Sequence, residues 1–124
     1  MARTAVSRTI AADPTSTALL LGGPTALEHW TRPGASVRLQ SPWRTPTAYV
    51  SRLVVSCAGL PDASGLLTLA YDAHEGDSVR TAAALRLDWA ASSDVAATAI
   101  ELRGLAEELL AALADVAEER AFAA

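Results

Sequence analysis

The sequence predicts an α+β fold in which an antiparallel β-sheet packs against one long C-terminal helix. Between Asp94 and Phe122, apolar residues recur at steps of three and four, the spacing of one face of a helix. These apolar residues are Leu102, Leu105, Leu109, Leu113 and Val116. The stretch from about Ser36 to Ala90 instead alternates between apolar and polar residues, as half-buried strands do. Because an amphipathic helix must bury its apolar face, we expect the sheet to supply the surface beneath it.

The N-terminal third predicts one strand followed by two short helices. The strand runs from Arg3 to Ile10, and Asp13 is a suitable N-cap for a helix whose first residue is Pro14. After about two turns, Gly22-Gly23 is expected to end this helix, since glycine takes the left-handed conformation that stops helices. A second short helix is expected between Pro24 and Trp30.

The middle of the chain predicts an antiparallel meander with one dry and one wet face. A brief strand around Val37 and Leu39 is followed by a break at the prolines of Ser41–Pro46, because proline is excluded from the middle of a sheet. Three longer strands are predicted over Thr47–Cys57, Leu66–His74 and Val79–Trp89. The side chains expected to face the helix are Tyr49, Ser51, Leu53, Val55 and Cys57, Leu67, Leu69 and Tyr71, and Val79, Thr81, Ala83 and Leu85. The same alternation places Arg52, Arg80 and Arg86 on the opposite, wet face; a register error of one residue would turn all three inward.

The composition argues against several classes of function. The 124 residues fit a single domain over positions 1–124, and the net charge is −4. All ten basic residues are arginines scattered along the chain without a basic stripe, so nucleic-acid binding is not expected. No apolar run approaches the roughly 18 residues of a membrane span. Arg3 lies near the start of the sequence without the apolar core of a signal peptide after it, so no signal peptide is expected. With Cys57 as its one cysteine, the chain is expected to be cytoplasmic.

No catalytic signature is present in the sequence. The two histidines, His29 and His74, have no partners at metal-ligand spacing, so no metal site is expected. Cys57 lies in an apolar strand, where cysteine usually behaves as a small hydrophobe rather than a nucleophile. A nucleophile elbow, a phosphate loop and a dinucleotide fingerprint are all absent, and no cofactor is expected. The sequence assigns no catalytic residue.

The order of the predicted elements (a strand, two short helices, an antiparallel meander and a long C-terminal helix) and the residues of the N-terminal segment together resemble a known family. The run Arg8–Pro14, followed by Leu19-Leu20-Leu21 and Trp30, resembles the SRPBCC superfamily, also called START-like or Bet v 1-like, near its polyketide cyclase/dehydrase branch. The resemblance covers essentially the whole chain and implies the helix-grip fold, in which a curved sheet wraps around the C-terminal helix. It further implies a cavity between sheet and helix that binds hydrophobic molecules such as lipids, quinones or polyketide intermediates. The chain departs from the family in having room for only one short strand between Trp30 and Pro42.

The candidate ligand-binding residues follow from the faces of the predicted strands. Tyr49, Ser51, Tyr71 and Thr81 bring hydroxyl groups to the helix-facing side, and a mostly apolar pocket with a few hydroxyls is typical of small-molecule sites. Trp30 and Trp43 are expected at the rim, where indoles can stack on an aromatic ligand. The competing interpretation is that the hydroxyls satisfy backbone carbonyl groups and the tryptophans only pack.

Two functions stay open on the sequence alone. The first is binding of a small hydrophobic molecule, aromatic or polyketide-like, with cyclisation promoted by confining the bound chain. The second is a non-catalytic protein, either a lipid or quinone carrier or an interaction module that forms a homodimer through an exposed sheet edge.

Overall fold

The structure is a computed structural model, and it describes residues 2–22, 34–40, 42–73, 79–90 and 95–123. Within these residues, six strands form one antiparallel sheet, and one long helix follows the last strand. The elements in chain order are β1 Ala2–Ile10, α1 Pro14–Leu19, β2 Ala35–Leu39, β3 Trp43–Arg44, β4 Ala48–Cys57, β5 Ala63–Ala73, β6 Val79–Trp89 and α2 Val95–Ala123. A 3₁₀ turn over Leu20–Gly22 extends α1. The predicted α+β fold with its long C-terminal helix is confirmed.

The strands lie in the order β1-β6-β5-β4-β2, with β3 also paired to β4. The register fixes which side chains share a face: Leu67 of β5 lies opposite Ser51 of β4 and Leu85 of β6. Helix α2 runs back along the sheet mainly over β1 and β6. Near its C-terminal end, the Glu118 carboxylate accepts a hydrogen bond from the Ala11 backbone N–H at 3.3 Å, so this end of α2 lies beside the end of β1.

The core lies between the helix-facing side of the sheet and α2. Of the five apolar residues predicted for this face of α2, Leu102, Leu105, Leu109 and Leu113 are at most 1% exposed there, and Val116 is half-buried. The opposing positions Leu67, Leu69, Leu85 and Leu87 of the sheet are equally closed to solvent. The predicted strand faces are therefore confirmed, and the exposed or half-buried Arg52, Arg80 and Arg86 lie on the other side.

Helix α1 begins as the sequence predicts. The Asp13 carboxylate accepts hydrogen bonds from the backbone N–H and the hydroxyl of Ser16, both at 2.8 Å, and Pro14 occupies the first helical position. The backbone hydrogen bond from Ser16 is the main reason why the pKa of Asp13 is lowered. The second short helix expected between Pro24 and Trp30 lies outside the described residues.

Two features of the strands differ from the sequence prediction by more than one residue: the start of β5 and the presence of β3. Strand β5 begins at Ala63 rather than Leu66, because Gly65 is part of the strand and not of the preceding loop. At Gly65 an added Cβ would lie 2.6 Å from the carbonyl oxygen of Arg86, so this glycine permits a close approach of two strands. Where a complete break was expected, the two residues of β3 pair with Val50 and Tyr49 of β4, since the prolines flank this strand and do not occupy it.

Candidate functional site

Three hydroxyl groups meet at one end of the helix-facing side of the sheet. The Thr15 hydroxyl of α1 lies 3.2 Å from the hydroxyl of Tyr49 in β4 and 3.2 Å from that of Tyr71 in β5. Tyr71 is 50% exposed, whereas Leu69, two residues earlier on the same face, is fully buried. The helix-facing side thus reaches solvent at this end. We call Thr15, Tyr49 and Tyr71 the hydroxyl cluster.

Strand β3 adds a positive charge to the same face. Arg44 pairs with Tyr49 across the β3–β4 ladder, and its guanidinium carbon lies 5.9 Å from the centre of the Tyr49 ring. This distance is typical of a cation–π contact. Arg44 is exposed, so its charge is available to a molecule that approaches the hydroxyl cluster.

Ser51 and Thr81 occupy the predicted face, but their hydroxyls bond to backbone carbonyl groups. The Ser51 hydroxyl donates to the carbonyl oxygen of Gln40 at 2.7 Å, and the Thr81 hydroxyl donates to that of Ala12 at 2.7 Å. Both residues are fully buried. This geometry agrees with the competing interpretation, in which the hydroxyls satisfy backbone carbonyl groups. A role of these two hydroxyls in ligand binding stays a prediction.

Trp43 lies on the face away from the helix. It pairs with Val50, whose side chain points to the opposite side from Tyr49, and the guanidinium carbon of Arg52 lies 5.7 Å from the centre of the indole. Trp43 is 42% exposed, and its predicted stacking on a ligand at the rim of the cavity stays a prediction. The other predicted rim residue, Trp30, lies outside the described residues, as do His29 and His74.

The helix-facing side offers few groups for acid–base chemistry. On the described parts of β4, β5 and β6, its positions hold no carboxylate and no imidazole. Among the described residues there is also no group of three or more histidine, cysteine or carboxylate side chains that could hold a metal ion. Cys57, the free cysteine, is half-buried on this face, at the opposite end of β4 from Tyr49.

A hollow of about 650 Å³ lies on the outer face of the sheet, away from α2. It crosses β2, β4, β5 and β6 and combines an apolar floor with arginine side chains. At one edge, Asp88 accepts hydrogen bonds from Arg3 at 2.6 Å and from Arg86 at 3.2 Å. The hydrogen bond from Arg3 is the main cause of the lowered pKa of Asp88. We call this region the outer hollow.

The sequence pattern predicts part of this arrangement but not all of it. Alternation placed Tyr49 and Tyr71 on one face, but no local pattern indicated Thr15 or Arg44. Thr15 is separated from the two tyrosines by 34 and 56 residues, so only the packing of α1 across the sheet brings it there. The arginine-rich outer hollow was missed because its arginines are widely spaced in the chain.

Comparisons with known proteins show similarity in structure alone. No protein-family model matches the chain, and no curated protein matches it significantly. Among solved structures, the protein TTHA0849 of Thermus thermophilus is 16% identical over 98% of both chains, with a TM-score of 0.50. XoxI of Bacillus cereus is 15% identical over 94% of this chain and 96% of its own, with a TM-score of 0.53.

A third structure is that of the di-domain ARO/CYC protein StfQ from the steffimycin biosynthetic pathway. It is 18% identical, with a TM-score of 0.53, and the match covers 94% of this chain but 45% of StfQ. At such identities the likeness shows the fold alone. The helix-grip fold that the sequence resemblance implied is therefore confirmed, with six strands among the described residues. Within the described helices, none is long and apolar enough to cross a membrane.

Proposed function

We propose that this chain binds a small aromatic or polyketide-like molecule between the sheet and α2, at the end that carries the hydroxyl cluster. The observation that carries this proposal is the pair of tyrosine hydroxyls converging on Thr15 at the solvent-reaching end of an apolar face. Apolar walls with a few convergent polar groups are the usual construction of a small-molecule site, since the walls provide affinity and the polar groups fix orientation.

The contacts within the hydroxyl cluster are suited to exchange with a ligand. Both distances to the Thr15 hydroxyl are 3.2 Å, longer than the typical 2.7–2.8 Å of hydroxyl–hydroxyl hydrogen bonds. Breaking such long hydrogen bonds costs little free energy. A ligand carbonyl or phenol oxygen can therefore replace Thr15 as partner of Tyr71, and the exposed Arg44 favours a partial negative charge on that oxygen.

This arrangement can promote a reaction by positioning the bound molecule. Because β4, β5 and β6 present no carboxylate or imidazole to the helix in their described parts, acid–base groups from the sheet are not the basis of the proposal. Holding a flexible polyketide chain with its reacting carbons close together lowers the entropic part of the barrier to cyclisation. The ARO/CYC name of the structural neighbour StfQ supports this class of ligand.

The test compares ligand binding with stability in one variant. Native mass spectrometry of the purified protein, followed by solvent extraction, identifies any co-purifying molecule. In parallel, 1,8-dihydroxyanthraquinone serves as the aromatic probe in fluorescence titrations. For Tyr71→Phe we expect binding to weaken about three- to tenfold, the value of one neutral hydrogen bond, with a nearly unchanged melting temperature because Tyr71 is half exposed.

The matched control is Thr9→Val, which removes a hydroxyl from an exposed position of β1. It is expected to leave probe binding unchanged. If Tyr71→Phe lowers the melting temperature strongly while binding is unaffected, Tyr71 belongs to the packing and the proposal fails. Binding of decylubiquinone in preference to the anthraquinone would favour the carrier function instead.

A further inference from the structure

The outer hollow is a second concave surface, separated from the hydroxyl cluster by the thickness of the sheet. Its volume of about 650 Å³ lies within the usual range of roughly 300–1,000 Å³ for small-molecule sites. Leu66 and Val54 belong to its lining, and the aliphatic parts of the neighbouring arginines extend that apolar surface. A flat outer face of a sheet would offer no such depth.

The pairing of the strands brings several arginine side chains together around the outer hollow. Arg52 of β4 lies opposite Leu66 of β5, which lies opposite Arg86 of β6, so two guanidinium groups flank one leucine. In the neighbouring row, Arg38 of β2 lies opposite Val54. Arg38 and Arg52 are thus diagonal neighbours on adjacent strands, about 7–8 Å apart at the backbone, within reach of one shared anion.

Two of these arginines lack a carboxylate partner among the residues that the structure describes. Asp88 binds Arg3 and Arg86, whereas no described carboxylate lies within ion-pair distance of Arg38 or Arg52. Arg52 instead lies over the Trp43 ring, which holds its side chain in place. In a chain of net charge −4, this concentration of positive charge on one face is a local reversal of sign.

We propose that the outer hollow binds a small organic anion. The apolar body of the ligand lies on Leu66 and Val54, and its carboxylate or phosphate group is held by Arg38 and Arg52. Arginine suits this role because its planar guanidinium donates two parallel hydrogen bonds to such oxyanions. The site is independent of the function proposed for the other face of the sheet.

The experiment uses octyl phosphate and octanoate as probes, with 1-octanol as the uncharged comparison. Titrations of ¹⁵N-labelled protein follow the arginine Nε–H signals by NMR, since these report on side chains of the outer face directly, and calorimetry gives the affinities. Both anions should shift the Arg38 and Arg52 signals, whereas 1-octanol should not. The anion that binds more tightly identifies the preferred head group.

Arg38→Gln and Arg52→Gln should each weaken anion binding by about three- to tenfold, less than a charge-assisted hydrogen bond usually contributes, because the hollow is partly open and water screens the charges. The control Arg103→Gln removes an exposed arginine on α2 that pairs with Glu107 and should change nothing. Binding should also weaken as salt is raised, since exposed charges are screened.

Three results would overturn the proposal. The first is that 1-octanol binds as tightly as the anions, which would make the charges irrelevant. The second is that anion binding survives both arginine substitutions. The third is that Tyr71→Phe abolishes it, which would place the anion at the hydroxyl cluster. Because both arginines are exposed, either variant is expected to fold normally, and circular dichroism verifies this.

Discussion

Replacing Gly65 by alanine tests a close approach between two strands of the sheet. An added Cβ would lie 2.6 Å from the carbonyl oxygen of Arg86, 2.7 Å from Cδ2 of Leu87 and 3.2 Å from Cδ1 of Leu53. The leucine side chains can rotate away. The Arg86 oxygen cannot move without the backbone, and Gly65 lies opposite Leu87 in the ladder between β5 and β6. The substitution must therefore displace paired backbone.

The expected cost follows from two opposing terms. Overpacking a well-filled site typically costs about 1–3 kcal/mol, and contact with a backbone atom places Gly65→Ala in the upper part of that range. Alanine in place of glycine also raises the free energy of unfolding by roughly 0.5–1 kcal/mol, because it restricts the unfolded chain more than glycine does. The net loss of stability is about 2 kcal/mol. With an unfolding entropy of about 2.1 cal/mol/K per residue, this lowers the melting temperature by about 8 °C.

Urea unfolding followed by far-ultraviolet circular dichroism measures this change, and Gly104→Ala is the matched control. Gly104 lies within α2, where an added Cβ would meet nothing within 4 Å. Alanine there should stabilise the protein by about 1 kcal/mol, the difference in helix propensity. If Gly65→Ala is as stable as the unchanged protein while Gly104→Ala behaves as expected, the close approach at Gly65 does not exist.

Three further stability predictions concern a buried hydroxyl, a helix cap and the core. Thr81→Val should cost about 1–3 kcal/mol in urea unfolding, since the Ala12 carbonyl loses its partner; an unchanged midpoint would contradict this. Asp13→Ala should cost about 1 kcal/mol at neutral pH. Because the folded-state pKa of Asp13 is lowered from 3.8, its contribution is present above pH 3.8 and lost as the pH falls through the folded value. The unchanged protein should therefore lose more stability than Asp13→Ala on acidification, and parallel curves would refute this. Leu109→Ala should cost about 2–5 kcal/mol by the same unfolding assay, since Leu109 is fully buried; a loss below about 1 kcal/mol would contradict a tightly packed core.

The fold was predictable because its long elements repeat a simple pattern many times. In β6 every second side chain is buried from Thr81 to Trp89, and both ends of this strand were predicted correctly. The start of β5 was missed because proline, aspartate, serine and glycine within the five residues Pro61–Gly65 are typical of a loop. At Gly65 the glycine instead serves the packing of β5 against β6, a requirement that exists only once the strands are paired.

The sites were less predictable because they depend on contacts between distant parts of the chain. Alternation along one strand shows that Arg52 faces outward but not which residues of other strands lie beside it. The register between β2, β4 and β6 gathers Arg38, Arg52 and Arg86 from positions that look scattered in the sequence. The same holds for Thr15, whose position depends on where α1 crosses the sheet.

Strand β3 allows the two proposed sites to be separated experimentally. Its two residues point to opposite faces: Arg44 lies against Tyr49 on the helix-facing side, and Trp43 lies against Arg52 on the outer side. Arg44→Gln should therefore weaken binding of the anthraquinone probe about threefold, as expected for loss of a cation at an exposed site, and leave octyl phosphate binding unchanged.

Trp43→Leu should weaken binding of octyl phosphate and leave binding of the anthraquinone probe unchanged, because Arg52 loses the ring that holds its guanidinium beside the outer hollow. The two substitutions change neighbouring residues in the same short strand, so a general loosening of β3 would affect both probes in both variants. Calorimetric titration of each variant with each probe distinguishes these cases. Equal losses in all four titrations would show that β3 acts only as a support for β4, and that neither Arg44 nor Trp43 contacts a ligand.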